Sequence, residues 1–445
     1  MFVRQSSIAL LAVLALCSRP ALAQLRCNEE TARAASTASA AAPSAEPSDP
    51  RSQLQLLVSQ VLGRSKQIGA AHLLKLAAEA DLEEARAQRM PTLSVGLGTS
   101  RVSVTPELGP KVEGQQSHAG FSITAPLYDS GRITKLTEWR SQLLESARQG
   151  KANAEEQLSV QVVTLAMDRS RYQLQSQIYS QYVRRMACLV DALEMITKQD
   201  RGRSSELVQA QKSLQQADLS LEQSATSLRQ TEVRLRRLAG EQLPPIVGMS
   251  NVLAELPKLE DIMDDVARGP DVAAADAQAR AQRSYTESIV AGQRPSVSVS
   301  VTGNTIRGVG KQTDWGAGVN VNLPIYIPGA DATVTSALRR TQAAEFQRDD
   351  LIESKRFRAR ELHEMATSAL DRSRRIADLL RNSERVRAST LEQWQQLGRR
   401  SLFDVMSAEG DYYAMRVAHV NTLFDAEQVI ALMWSLGRGV MVPLR

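Results

Sequence analysis

The sequence predicts a mainly α-helical chain that also carries four membrane β-strands. Three observations support this. Four short segments alternate apolar and small polar residues with a period of two. Long stretches between them place apolar residues at three- and four-residue steps. The whole strand-and-helix arrangement occurs twice at a nearly constant spacing.

The strands are the more diagnostic elements. Leu93, Val95 and Leu97 alternate with Ser94, Gly96 and Gly98, and Val297, Val299 and Val301 with Ser296, Ser298 and Ser300. The second member of each pair follows suit. Phe121, Ile123 and Ala125 face away from Ser122 and Thr124, and Ala317, Val319, Val321 and Leu323 from Gly318, Asn320 and Asn322. A half-buried strand of a soluble sheet alternates too, but here the polar side is Ser, Gly, Asn and Thr with few charges. Small polar residues suit the wet interior of a barrel whose apolar side meets lipid. Tyr128 and Tyr326 follow the second strands and are placed to sit at a membrane interface. Four strands cannot close a barrel, and an open sheet edge is not tolerated in lipid. The chain is therefore expected to oligomerise, two copies giving eight strands and three giving twelve.

The duplication is read from the offset. PLYDSG begins at Pro126 and PIYIPG at Pro324, so 324 − 126 = 198 residues separate them. The same offset carries Gly120 to Gly318, Glu206 to Asp404, Ala210 to Ala408, Leu238 to Leu436 and Pro245 to Pro443. Upstream the offset is 295 − 91 = 204, which places six extra residues in the first copy near TPELGPKVEG, as a loop tolerates. The expected organisation is a signal peptide over 1–23, a flexible Ala/Ser/Pro-rich segment over 24–50, a first repeat over 51–245 and a second over 246–445.

The helices read as coiled coils. Leu207, Leu214, Leu221, Leu228 and Leu235 recur every seven residues, with Ala210, Ala217 and Leu238 between them. Tyr172, Gln175, Tyr179, Tyr182, Met186, Leu189, Leu193 and Ile196 keep a 3-4 spacing, with Gln175 the one polar exception. The helix expected over 131–199 would span ~105 Å. Half-length helices are expected over 52–89 and 205–239. The second copy repeats the pattern over 258–292, 331–396 and 402–438, and the turn QDRGRS closes the first hairpin.

Composition removes several function classes. The chain has 445 residues, 54 Lys and Arg against 49 Asp and Glu, and only 4% aromatic residues, with no basic stripe for nucleic acid. Arg4, the run IALLAVLAL and Ala21-Leu22-Ala23 form the export signal. Leu16 argues against lipidation at Cys17. No later run is long and apolar enough for a membrane helix. Cys27 and Cys188 are expected to be isolated residues rather than a disulfide framework or metal site. His72, His118, His363 and His419 share no metal-ligand spacing, and TIRGVGKQ lacks the first glycine and the Ser/Thr of a phosphate loop. The expectation is no enzyme, no cofactor and no metal.

Duplicated strand–strand–long-helix units behind a signal peptide, with a proline after each returning strand, resemble the TolC-like outer membrane factor family over about 51–445. The resemblance implies a homotrimer with a twelve-stranded outer membrane barrel and a coiled-coil helical barrel that extends into the periplasm. It implies a passive exit duct that docks to a periplasmic adaptor (membrane fusion) protein and an inner-membrane pump of RND or ABC type. The cargo would be small molecules in tripartite efflux or unfolded protein in type I secretion. GRRSLFDVMSAE, from Gly398, is similar to the family's second helix-hairpin tip. By that similarity Arg400 is the arginine that holds the tip closed, with Glu206 and Ser205 as its partners. Asp404 is the first carboxylate of an entrance ring, Ser407 stands where a second is expected, and Gln395 stands where a gate tyrosine occurs. The alternative is a periplasmic or surface coiled-coil protein with structural or adhesive work and no pore.

Overall fold

The structure is a computed structural model that describes residues 49–105, 111–244, 249, 252–253, 255–309, 311–397 and 400–444, without the side chains of Val104 and of 395–397. The expected signal peptide, most of the flexible segment, Cys17, Cys27, Pro245 and the side chain of Gln395 thus lie outside the described residues.

The helices are α1 (Pro50–Arg64), α2 (Lys66–Ala87), α3 (Arg132–Thr197), α4 (Ser204–Ala239), α5 (Leu259–Val266), α6 (Pro270–Gly292), α7 (Ala330–Leu397) and α8 (Leu402–Leu436). The strands are β1 (Thr92–Val104), β2 (Val112–Tyr128), β3 (Ser296–Gly308) and β4 (Gln312–Asn322). No described helix is long and apolar enough to cross a membrane. The chain forms two compact units. One comprises residues up to Ser65 with Gln157–Ile262 and Ala359–Arg445. The other comprises Lys66–Glu156 and Met263–Arg358 and holds the sheet. Each unit therefore draws on both halves of the sequence.

Two expected helices are broken. The helix expected over 52–89 divides at Ser65, whose backbone is extended (φ −67°, ψ 120°). Gly63, two residues upstream, weakens the helix there but does not by itself end it, since it lies inside α1. α1 is instead fixed by packing, with Leu54, Leu57, Val58 and Val61 fully buried and Gln60 Nε2 donating to the Ala239 carbonyl at the end of α4, 3.1 Å away. Apolar periodicity runs through such a break unaltered, so the spacing alone does not show it. The helix expected over 258–292 divides into α5 and α6, where Gly269 precedes Pro270 at the first helical position. Cys188, expected to be isolated, is disulfide-bonded, and its partner lies outside the described residues. Separation in sequence does not measure separation in space.

The helical unit is built on small residues. In α4 the most buried positions are Ala210, Ala217, Ser224, Thr231, Leu235 and Ala239, and most of the heptad leucines are half-buried beside them. Small side chains at the seam let neighbouring helix axes approach closely, and the leucines then wall its flanks.

In the sheet unit the four strands pair antiparallel in the order β1-β2-β3-β4. The register puts Val299 opposite Ala125 and Val319, and Val301 opposite Ile123 and Ala317. Ser300 lies opposite Thr124 and Gly318 and accepts from Asn320 Nδ2 at 2.9 Å. The apolar and small polar residues of all four strands are thus sorted to opposite faces. On the apolar face Leu97 is 80% exposed and Trp315 82%. The two copies differ at their returning strands. β2 continues through Pro126 to Tyr128 with a bulge between them, whereas β4 stops at Asn322. A proline has no N–H for the ladder and is accommodated at a bulge or past a strand's end. Tyr128 and Tyr326 are both largely exposed at the end of the sheet where α3 and α7 depart.

Candidate gate at the helix-hairpin tips

The helical unit contains both helix-hairpin tips. At the first, Asp200 accepts from the Gly202 N–H at 3.0 Å and caps the single 3-10 turn Arg201–Arg203 that links α3 to α4. Ser205 is exposed and Glu206 half-buried in the first turn of α4. One Glu206 carboxylate oxygen is buried without a hydrogen-bond partner. At the second tip Ser401 caps α8 through a capping box. The Asp404 N–H donates to Ser401 Oγ, and the Ser401 N–H donates to Asp404 Oδ2, both at 3.2 Å.

Arg400 is directed to its own hairpin. Its Nε donates to Gln393 Oε1 at 3.1 Å, and its guanidinium lies 4.0 Å from Asp404 Oδ2. Among the described residues no bond joins it to Glu206 or Ser205. Asp404 therefore serves as a cap and as a weak ion-pair partner within its own hairpin. Ser407 lies one turn further along α8, exposed.

The tips are joined by apolar packing. Met186, Leu189, Val190 and Leu193 of α3 cluster with Ala210 of α4 and with Leu402, Val405 and Met406 of α8. Leu391 and Trp394 of α7 close over them. Behind this cluster is a charged layer that the sequence reading missed. Glu409 is fully buried. Arg185 Nε donates to its Oε1 at 3.0 Å, and Arg387 Nε lies 3.5 Å from the same oxygen. One carboxylate thereby ties α3, α7 and α8. Its signal was present in the sequence, since Glu409 falls at a seam position between Met406 and Tyr413 where every neighbour in the 3-4 spacing is apolar or aromatic.

An aromatic layer follows. Tyr182 and Tyr413 stack with ring centroids 4.9 Å apart, and the Arg387 guanidinium sits 4.4 Å from the Tyr412 centroid. Gly410 keeps this layer tight, because a Cβ there would come within 3.3 Å of Tyr182 Oη. Burial raises the Tyr182 and Tyr413 hydroxyls above the ordinary tyrosine value, and the Glu409 carboxylate adds to the rise. Beyond it, α3 and α8 are zipped by polar pairs running in opposite directions. Arg416 donates to Gln181 at 2.6 Å, Gln175 pairs with Asn421, Arg171 donates to Asp425 at 2.9 Å and Gln428 to Asp168 at 2.8 Å.

The long paired helices joined at such tips, together with the duplicated antiparallel strand pairs, decide the fold. The chain has the TolC-like outer membrane factor fold. Residues 57–241 match the model of the outer membrane efflux protein family. Among solved structures, CusC, described by its transmembrane channel formation, superposes at TM-score 0.76 with 18% identity. That match covers 87% of this chain and 92% of CusC. The outer membrane protein VceC of Vibrio cholerae gives 0.73 at 16% identity, over 87% of this chain and 96% of its own. The Neisseria gonorrhoeae MtrE outer membrane channel, in its open state, gives 0.74 at 17%, over 86% and 89%. No curated protein sequence matches the chain. The TolC-like fold accounts for the mainly helical composition and for the four-stranded antiparallel sheet of the described residues.

Proposed function

We propose that the protein is a passive, gated exit duct of the outer membrane whose helices extend into the periplasm. The observation that carries this reading is the sheet. Its strands β1 and β4 each have one unpaired side, and its apolar face, from Leu93 to Trp315 and Val321, is solvent-exposed in the protomer. A soluble protein rarely leaves so continuous an apolar face uncovered. Lipid covers it, and three copies pair β1 to β4 around a twelve-stranded barrel with Ser, Gly, Asn and Thr toward the water-filled lumen. Tyr128 and Tyr326 mark the periplasmic interface of that barrel.

The helix-hairpin tips form the gate. Threefold repetition turns Asp404 and Glu206 into rings of acidic side chains around the entrance, with Ser407 adding a neutral ring above the first, and charged rings select ions. Arg400 restrains the second tip through Gln393 and Asp404. Transport energy comes from an inner-membrane pump, reached through a periplasmic adaptor. Efflux of small molecules is the favoured cargo, because the matched family model describes efflux proteins.

Single-channel conductance of the mature protein in a planar bilayer tests the reading. Wild type is expected to show small openings and Arg400→Ser larger ones. The ion pair it breaks is long and half-exposed, so the variant's stability should change by less than ~1 kcal/mol. No insertion by either protein would reject the channel in favour of a coiled-coil protein without a pore. Insertion with identical conductance would reject the assigned gate. For cargo, a gene deletion that leaves drug sensitivity unchanged but empties the secreted protein profile would favour type I secretion instead.

A further inference from the structure

The apolar face of the sheet ends, on the side of the two hairpin loops, in a pair of arginines. Arg101 pairs with Gln115, and Arg307 with Ser117, so both share the face of Leu97, Ala119 and Trp315. Both are exposed, and among the described residues neither has a recorded hydrogen bond or ion pair. The acid on the same face, Glu113, is already held by Lys111 Nζ at 2.5 Å and Ser103 Oγ at 3.2 Å. Asp314 lies on the opposite, small polar face, opposite Asn304. Lys111 and Lys311 flank the arginines at the loops. Below the arginines, a groove of about 710 Å³ is lined by Leu97, Thr99, Ser117, Ala119, Thr305 and Arg307.

Position along the strand fixes what these cations meet. From Tyr128 to Ser117, the partner of Arg307, is eleven residues, or roughly 37 Å of strand; a tilt of about 40° leaves ~28 Å across the bilayer. That is about the height of the apolar band of an outer membrane barrel, so the arginines stand where hydrocarbon gives way to headgroups. The two backbone positions lie two strands and two residues apart, about 12 Å. We propose that Arg101 and Arg307 form a binding site for the phosphates of a phosphorylated outer-leaflet glycolipid, with an acyl chain along the groove. The guanidinium fork matches phosphate geometry, and unpaired arginines at the end of an apolar face provide charge complementarity for an anionic lipid head. The inference rests on the membrane reading above.

The test uses the purified mature chain and lipopolysaccharide as the probe. Wild type, Arg101→Gln/Arg307→Gln and Arg101→Lys/Arg307→Lys are titrated with lipopolysaccharide in detergent and inserted in parallel into phosphatidylcholine bilayers. The glutamine pair is expected to bind roughly thirtyfold more weakly, the effect of two lost surface cations. The lysine pair keeps the charges but loses the fork, so it should bind between wild type and the glutamine pair, and all three should insert and conduct alike. Lipopolysaccharide stripped of its phosphates should bind wild type as weakly as the intact lipid binds the glutamine pair. Equal binding by wild type and the glutamine pair, or no dependence on the phosphates, would overturn the site while insertion leaves the channel standing. Failure of all three proteins to insert would overturn the channel and the site together.

Discussion

Glu409→Gln is expected to cost about 3–5 kcal/mol. The carboxylate is fully buried and faces Arg185, itself 8% exposed, and Arg387. Neutralising it leaves the buried Arg185 guanidinium without a counter-charge and facing that of Arg387, which is 29% exposed. The apolar cluster of the tips does not relieve this, because its side chains supply no second anion. Loss of helix signal on heating in detergent measures the effect, and the variant should melt well below wild type. Replacing the pair together, Arg185→Met with Glu409→Leu, should recover most of the loss. A well-packed apolar pair avoids the desolvation that the ion pair must offset. The assignment fails if Glu409→Gln melts within about 1 kcal/mol of wild type. The same variant should also raise channel conductance, because Glu409 holds α3 of one hairpin to α7 and α8 of the other just behind the proposed gate.

That charged layer shows where sequence reading stops. The alternation of RPSVSVSVTGN fixed a strand with unlike faces, and β3 pairs Val299 and Val301 with apolar partners on both sides. The heptad spacing was equally legible, and α3, α4, α7 and α8 fall within a few residues of their expected limits. Both patterns are local consequences of the 2.0 and 3.6 residue periods. The break at Ser65 and the bridge at Cys188 are tertiary, and no local period encodes them. The tip was legible as a motif but not as a geometry. GRRSLFDVMSAE located Arg400 and Asp404, while the contacts of Arg400 with Gln393 and Asp404 depend on how one hairpin turns. The Glu409 triad escaped because it occurs once. The repeat offset carries Glu409 to Gln211, Arg387 to Leu189 and Arg185 to Ser383, so the internal symmetry that exposed the strands and tips has no copy of it.

A second buried carboxylate should make stability depend on pH. Glu427 of α8 is 1% exposed, and neither of its oxygens has a hydrogen-bond partner. Its neighbours one turn away on the helix, Phe424, Ile430 and Ala431, are fully buried apolar residues. The polar residues beside it are turned elsewhere, Asp425 to Arg171 and Gln428 to Asp168. Burial alone pushes Glu427 up from 4.5 to about 8, so the folded protein carries it protonated at neutral pH. The unfolded chain ionises it near 4.5. Stability from this group is therefore complete below pH 4.5, declines as pH rises from 4.5 to about 8, and is flat above that. The full span is 8 − 4.5 = 3.5 pH units, or roughly 5 kcal/mol. Glu427→Gln cannot ionise and should remove this slope, so the variant gains on wild type steadily between pH 5 and 8. Melting the two proteins side by side across that range tests the assignment. Parallel curves would mean that Glu427 is ionised in the folded protein and finds a counter-charge or water in the proposed trimer. A widening gap would mean that an acid held neutral inside a helical seam makes the protein less stable in alkali than in acid.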